Sequence, residues 1–402
     1  MKAVKPGRRP HAPEPRSLLR PVIESRNGLY PREMRHLLPA TALWRGSDVD
    51  GIGYFAVDLD LDECRTLEAA AVELAAKGVD PSDAEHRDLP LGPLAATVGR
   101  VRQELLGGTG MVLLRGFPVD RLSSEEIALF FWGVGLQLGT AVSQSVMGER
   151  LGRVVDVTDV DPHARAYRNR SELTPHTDPA DLLAFLCLTP AARGGESHFT
   201  SSLTVYDELH RTQPEVLEVL QRGFQYHRFG EQEPGCPPVT PWRVPVFSQR
   251  DGQVSCRYVK EYVTIAEDED PEVELTSTER AALAAFEAMA QREDLPVRFT
   301  LRPGEAILAN NYTVLHGRTA FTDHSEHKRE LLRLWLVADP PRPVVREVFL
   351  YERAYHGGEP GVPPQPDLEP SFASRFDQAF MRPQPEVIET GSKTTGRAFL
   401  LG

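Results

Sequence analysis

At 402 residues the chain is long enough for one large domain or two ordinary ones, and 41% hydrophobic with 26% charged residues is a globular composition. No run reaches the ~18 consecutive apolar residues of a membrane span, which argues against a membrane partner. A net charge of −13 argues against nucleic acid as the main partner.

Residues 1–36 carry nine Lys/Arg against three Asp/Glu, and prolines punctuate positions 6, 10, 13, 15, 21, 31 and 39. Residues 1–45 therefore read as an irregular basic N-terminal arm, without the apolar core of a signal peptide. Leu, Ala and Glu between Glu63 and Lys77 predict a helix, and Leu94 to Leu106 a second. The apolar run from Gly110 to Asp120 reads as a strand closed by a Gly/Pro turn. Ser123 and Glu126 form a capping box ahead of an apolar helix ending at Leu138.

Strands dominate beyond that point: Val154 to Val157, Leu182 to Leu188, His198 to Ser202 and Phe224 to Arg228. Arg250-Asp251-Gly252-Gln253 is a hairpin turn between Val244–Ser248 and Val254–Val259. Val297 to Leu301, Ala306 to Ala309 and Leu331 to Val337 complete the set. Two helices interrupt it: Val205 to Arg222, with a break at Pro214, and Ser277 to Arg292, capped by Thr276 and Glu279. Many short strands with two blocks of helix predict an α+β chain with a mainly β core, a β-barrel or jelly roll with flanking helices. The expected organisation is the arm at 1–45, a single catalytic domain at 46–345, and a proline-rich C-terminal extension at 346–402. Cys64, Cys187, Cys236 and Cys256 are scattered without a CxxC pair, which fits reduced thiols in a cytoplasm.

Chemistry concentrates in His176-Thr177-Asp178 and in His316, 140 residues on. In an extended segment residues i and i+2 point to one face, so His176 and Asp178 can reach the same metal. Two imidazoles and one carboxylate suit one face of an iron(II) ion and leave positions open. An HxD triplet alone is weak, because a chain this long contains one by chance. His86-Arg87-Asp88 is such a twin, set in a polar run that reads as solvated loop. Apolar strand context separates the two. His316, at the end of Thr313-Val314-Leu315, also has a plain reading as a buried histidine bonded to a carbonyl. In the strand that follows, Arg329, Leu331, Arg333 and Trp335 share a face. Two arginines on an otherwise apolar inward face are costly unless they meet anions. Those anions are either ligand carboxylates, which suit the guanidinium fork, or nearby acids such as Asp178 and Glu196.

The segments His176–Leu188, Gly194–Ser197, Leu301–Phe321 and Glu330–Leu336 together resemble the iron(II)/2-oxoglutarate dioxygenases of the taurine dioxygenase and clavaminate synthase-like superfamily, in the same order, over about Gly110 to Pro343. The resemblance implies a double-stranded β-helix (jelly-roll) barrel, with Fe(II), 2-oxoglutarate and O2 as cofactor and cosubstrates. It implies metal ligation by His176, Asp178 and His316, and anchoring of 2-oxoglutarate by Arg329. Arg333 is implied as a second arginine for cosubstrate or substrate, the two roles being exchangeable. Ser197, with Thr204 behind it, matches the hydroxyl that shares the cosubstrate carboxylate. Gln144, in the segment before the metal strand, matches a polar substrate contact. The charged stretch Gly148 to Thr174 resembles a lid but reads equally as a solvated loop. The intact Asp178 favours hydroxylation over halogenation. The expected substrate is a small polar, carboxylate-bearing metabolite, such as an amino acid or natural-product intermediate. A zinc hydrolase and a non-catalytic binding barrel stand as alternatives, and oligomeric state stays open.

Overall fold

The computed structural model describes residues 34–144, 149–159, 168–228, 232 and 235–350. Residues 1–33 of the expected arm, 351–402 of the expected extension and 160–167 of the charged stretch lie outside the described residues.

In chain order the elements are β1 (Ala56–Asp58), α1 (Leu61–Ala76), α2 (Ala95–Gly107), β2 (Met111–Arg115), α3 (Ser124–Leu138), β3 (Gly139–Ala141) and β4 (Leu151–Val155). Next come β5 (Leu173–His176), β6 (Leu182–Thr189), β7 (Arg193–Gly194), β8 (Ser197–Ser201), α4 (Ser202–Thr212) and α5 (Pro214–Arg222). The hairpin β9 (Phe247–Arg250) and β10 (Gln253–Cys256) precedes α6 (Lys260–Glu269) and α7 (Ser277–Ala290). The chain continues with β11 (Val297–Phe299), β12 (Glu305–Asn310), β13 (Val314–Arg318), β14 (Phe321–Thr322) and β15 (Glu330–Ala338).

Local chemistry explains many of these boundaries. Asp60 caps α1 by accepting from the backbone N–H groups of Asp62 and Glu63. Reciprocal capping boxes at Ser123/Glu126 and Thr276/Glu279 open α3 and α7. Pro214 ends α4 and begins α5, since it has no N–H to donate but suits a first helical turn. Asp251 and Gly252 both have positive φ, as the tight β9–β10 turn requires.

The result is a mixed α/β architecture around a β-sheet core. Among the described residues, β1, β2, β12, β6, β15 and β3 lie side by side, and β4 pairs with β15 to complete a seven-stranded sheet. A second sheet has the order β11-β8-β13-β5. Among the described residues the two are separate ladders and do not close into a barrel.

The inner strands are mostly apolar on both sides because both of their faces are covered. In β2, Val112 and Leu114 join a cluster with Leu67, Phe130 and Trp132 of α1 and α3. Met111 and Leu113 face the opposite way and join Phe199, Val297 and Phe299 of the second sheet. β15 splits the same way. Leu332, Leu334 and Leu336 pack toward the helices, which leaves Arg329, Leu331, Arg333 and Trp335 looking inward. A third cluster, with Tyr206, Leu220, Tyr258, Phe286 and Leu315, packs α4, α5 and α7 against the second sheet.

Two local expectations are corrected. Phe224 to Arg228 is not a strand: only the isolated bridges Phe224–Val244 and His227–Val239 form there. The second hairpin arm stops at Cys256, and helix α6 begins at Lys260, where the sequence reading had no element. β5 and β13, too short to stand out as periodic runs, carry or adjoin the three metal-ligand candidates.

Candidate active site

β5 and β13 are antiparallel neighbours, and their register sets His176 directly opposite His316. Cross-strand partners lie close enough for their side chains to meet, and the two rings stand 4.3 Å apart between centroids. Asp178 lies two residues past His176. Its backbone N–H donates to Asn311 Oδ1 at 3.2 Å, while Thr177 is tied to Tyr258 by N–H donation at 2.8 Å. The extended run therefore continues beyond the strand end and brings the carboxylate back beside the rings. Asp178 Oδ1 is 3.7 Å from His176 Nε2, and Oδ2 is 3.5 Å from His316 Nε2.

Among the described residues these three form the one group of histidine, cysteine or carboxylate residues whose ligand atoms all fall within 4.8 Å of one another, and all three are buried. The twin at His86–Asp88 is exposed, with His86 turned to Gln137.

The donor set fits a divalent transition metal. His176 Nδ1 sits 2.8 Å from the Thr174 carbonyl, an outer bond that leaves Nε2 turned toward the carboxylate and fixes the ring. Burial pushes the His176 imidazole down to about 4, with His316 acting in the same direction. At neutral pH it is therefore the uncharged, lone-pair-bearing form that ligation needs. Burial works against the charged form of Asp178, but the hydrogen bond and charge of His316, with His176 and Arg333, hold its carboxyl well below the usual range. An ionised carboxylate beside the neutral His176 imidazole, withdrawn from solvent, is a donor set in want of a cation.

The triad opens onto a cavity with two kinds of wall. Phe185, Phe199, Ile307 and Leu331 make it apolar, while Ser197, Arg318, Arg329 and Arg333 bring polar groups to it. Arg329 is 6% exposed. Its guanidinium lies 5.2 Å from the centre of the Phe321 ring, and burial pushes its pKa down to about 10. No ion pair to it occurs among the described residues, so pairing with Asp178 or Glu196 is not how this charge is compensated.

Arg333 is held differently. Its Nε donates to Gln144 Oε1 at 2.5 Å, and its guanidinium lies 4.6 Å from the centre of the Trp335 ring. Gln144 donates in turn to the carbonyls of Arg333 and Arg150 at 2.9 and 3.0 Å. Gln144 is fully buried and does not line the cavity, which corrects its reading as a substrate contact. Its amide is used up in holding Arg333. Thr204 is likewise turned away, donating to the Trp44 carbonyl at 2.9 Å.

Four residues that the sequence reading left without a role also shape the site. Trp335 Nε1 donates to Asp178 Oδ2 at 2.9 Å. Asn311 holds the Asp178 backbone, as described. Arg318 faces the same cavity, donates to the Asn169 and Ser171 carbonyls at 3.0 Å, and is pushed down to about 9 by burial and by Arg329. Gly317 lets the strands meet: a Cβ there would run into the His198 ring and lie 2.6 Å from the Leu173 carbonyl oxygen. The signal for Trp335 was present, since it shares the inward face with the arginines. Its partner, 157 positions away, was not readable.

Comparison with known proteins yields one family and several relatives. The model of the taurine catabolism dioxygenase TauD, TfdA family matches residues 75–335. The FR-33289 synthase of Streptomyces rubellomurinus is 31% identical over 305 residues, which cover 73% of this chain and 88% of that protein. Among solved structures, an asparagine oxygenase in complex with Fe(II), 2S,3S-3-hydroxyasparagine and succinate superposes with a TM-score of 0.54 at 19% identity, covering 70% of this chain and 93% of the other. The non-heme iron oxygenase OrfP, in complex with Fe and alpha-ketoglutaric acid, superposes with a TM-score of 0.52 at 17% identity, covering 70% and 93%. These two structural likenesses are likenesses of fold.

Proposed function

The chain belongs to the taurine catabolism dioxygenase TauD, TfdA family, and on that footing we propose how its residues divide the work of an iron- and 2-oxoglutarate-dependent dioxygenase. His176, Asp178 and His316 hold the iron, one observation carrying this reading: their ligand atoms converge within 4.8 Å at the end of a cavity whose inward strand brings buried arginines. The seven- and four-stranded sheets are taken as the two halves of a double-stranded β-helix within a single domain over residues 46–345. The four free cysteines suit a cytoplasmic setting.

Iron bound there supplies the activation of dioxygen, coupled to conversion of 2-oxoglutarate to succinate and carbon dioxide and to oxidation of a substrate C–H bond. The protein contributes position and electrostatics. Arg329 offers the distal carboxylate of 2-oxoglutarate a rigid fork in a dry wall, where a charge-assisted pair is strongest. Ser197, on the cavity wall, is the hydroxyl that shares that carboxylate. Arg333, locked by Gln144 and stacked on Trp335, presents a second cation to an anionic group of the substrate. Asp178 stays ionised at neutral pH, and the phenyl rings of Phe185 and Phe199 keep bulk water from the reacting carbon.

The substrate is a small polar metabolite carrying a carboxylate or similar anion, an amino acid or natural-product intermediate. One structural neighbour is an asparagine oxygenase, and one relative is named a synthase of FR-33289. Hydroxylation is the expected outcome. The test is substrate-dependent succinate release from 2-oxoglutarate under iron(II), screened over amino acids and anionic pathway intermediates. Release that disappears in His176→Ala supports the reading, and release at the wild-type rate in that variant refutes it.

A further inference from the structure

We infer that Trp335 is a positioning residue for the metal centre: its indole N–H occupies one oxygen of Asp178, so that the carboxylate presents a single oxygen to the ion. The inference rests on the reading of His176, Asp178 and His316 as metal ligands.

A buried carboxylate has two oxygens and about four lone-pair sites. Left alone beside a cation, it can turn both oxygens to the ion and take up two coordination positions. The indole N–H is a donor only, and it has no second role to fall back on. In this cavity it points at Asp178 Oδ2 from 2.9 Å, with both residues buried. A hydrogen bond in that place holds the carboxylate plane at one rotation and makes Oδ2 the poorer ligand. It adds no charge, so the attraction of the site for a cation is kept. A lysine or arginine at 335 would satisfy the oxygen and repel the metal.

The surroundings show that the indole itself is held in place. The Arg333 guanidinium lies 4.6 Å from the centre of its ring, and Arg333 is fixed at Nε by Gln144. Gln144 is fixed by two backbone carbonyls. Adjacent Leu334 and Leu336 are anchored on the helical side of β15. A continuous line of contacts therefore runs from Gln144 through Arg333 and Trp335 to Asp178, and it ties the cation offered to the substrate to the geometry of the metal ligand. Outer partners of metal ligands change metal affinity by ~10–100-fold when removed, and this line reaches a ligand in one step.

The experiment compares the wild type with two variants, Trp335→Phe and replacement of Trp335 by 3-benzothienylalanine, which keeps the bicyclic shape and puts sulfur where the N–H was. Anaerobic titration of the full-length, metal-free protein with iron(II) measures affinity, and thermal unfolding of the same metal-free samples reports the fold. The expected result is an unchanged metal-free midpoint for the benzothienyl protein, with iron(II) affinity lower by about tenfold or more. The visible band of the iron–2-oxoglutarate complex is expected to shift as well, since carboxylate coordination changes. Affinity within twofold of wild type in the benzothienyl protein overturns the inference, whatever Trp335→Phe does to folding. Failure of the wild type itself to bind one iron(II) per chain would instead overturn the metal-site reading.

Discussion

Replacing Arg329 by methionine should make the metal-free protein more stable while destroying its response to 2-oxoglutarate. The guanidinium is 6% exposed with no ion pair among the described residues, and its pKa is pushed down to about 10. At ~1.36 kcal/mol per pKa unit, burial of this charge costs folding about 3 kcal/mol. For a base with a depressed pKa that cost is fully present below about pH 10 and fades only at higher pH, so it operates at neutral pH. Methionine keeps a stem of similar length and removes the charge. It also gives up the contact with the Phe321 ring, worth ~0.5–2 kcal/mol. The net gain is about 1–2 kcal/mol, or roughly 1–2 °C in midpoint for a chain of this size. Against this, the variant loses the charge-assisted bonds to the cosubstrate, at ~1.5–3 kcal/mol each. Two such bonds correspond to more than a hundredfold in affinity. A 2-oxoglutarate concentration that raises wild-type stability by ~2.7 kcal/mol then raises the variant's by less than ~0.5 kcal/mol. Thermal unfolding under anaerobic iron(II), with and without 2-oxoglutarate, reads both effects. A metal-free midpoint clearly below wild type would show that the buried guanidinium is a net stabiliser. An undiminished response to 2-oxoglutarate would remove Arg329 from the cosubstrate site.

Two further outcomes follow from the packing. Burial raises the Glu208 carboxyl, but hydrogen bonds from Arg292, Arg45 and Arg211 more than reverse this and pull it down to about 2. Its stabilisation is present above about pH 4.5 and is lost as the pH falls toward 2. Glu208→Gln should therefore cost ~1–3 kcal/mol at pH 7, and urea unfolding from pH 7 to pH 3 should show the gap to wild type closing. A gap independent of pH would assign the effect to packing. Gly317→Ala should cost ~1–3 kcal/mol or more by overpacking, because the new methyl group meets His198 and the Leu173 carbonyl. Displacement of neighbouring His316 should weaken iron(II) binding with it. A variant that unfolds and binds iron(II) like wild type would show that the strands have room to part.

Much of the framework was readable locally. The capping boxes at Ser123 and Thr276, the break at Pro214 and the turn at Asp251-Gly252 each depend on a few adjacent residues, and each formed where expected. The inward face of β15 was readable for the same reason, since strand alternation has a fixed period of two. By contrast, Phe224 to Arg228 has strand-like residues but finds only isolated bridges. Its pairing depended on a partner the local pattern does not specify.

The candidate site divides along the same line. The sequence by itself determined which side chains can do this chemistry: the spacing of His176 and Asp178, the presence of His316, and the arginines at 329 and 333. It left His86-Arg87-Asp88 as an equal in composition. Strand context separated the twins, and the tertiary structure added the β5–β13 register that sets His176 against His316 across 140 residues. Only the tertiary structure decided the places of Gln144, whose amide is spent on Arg333, and of Trp335, whose indole reaches Asp178. Spacing along a strand is a local property of the backbone. Which carboxylate an indole meets, and whether an amide faces ligand or protein, is settled by long-range packing of the two sheets.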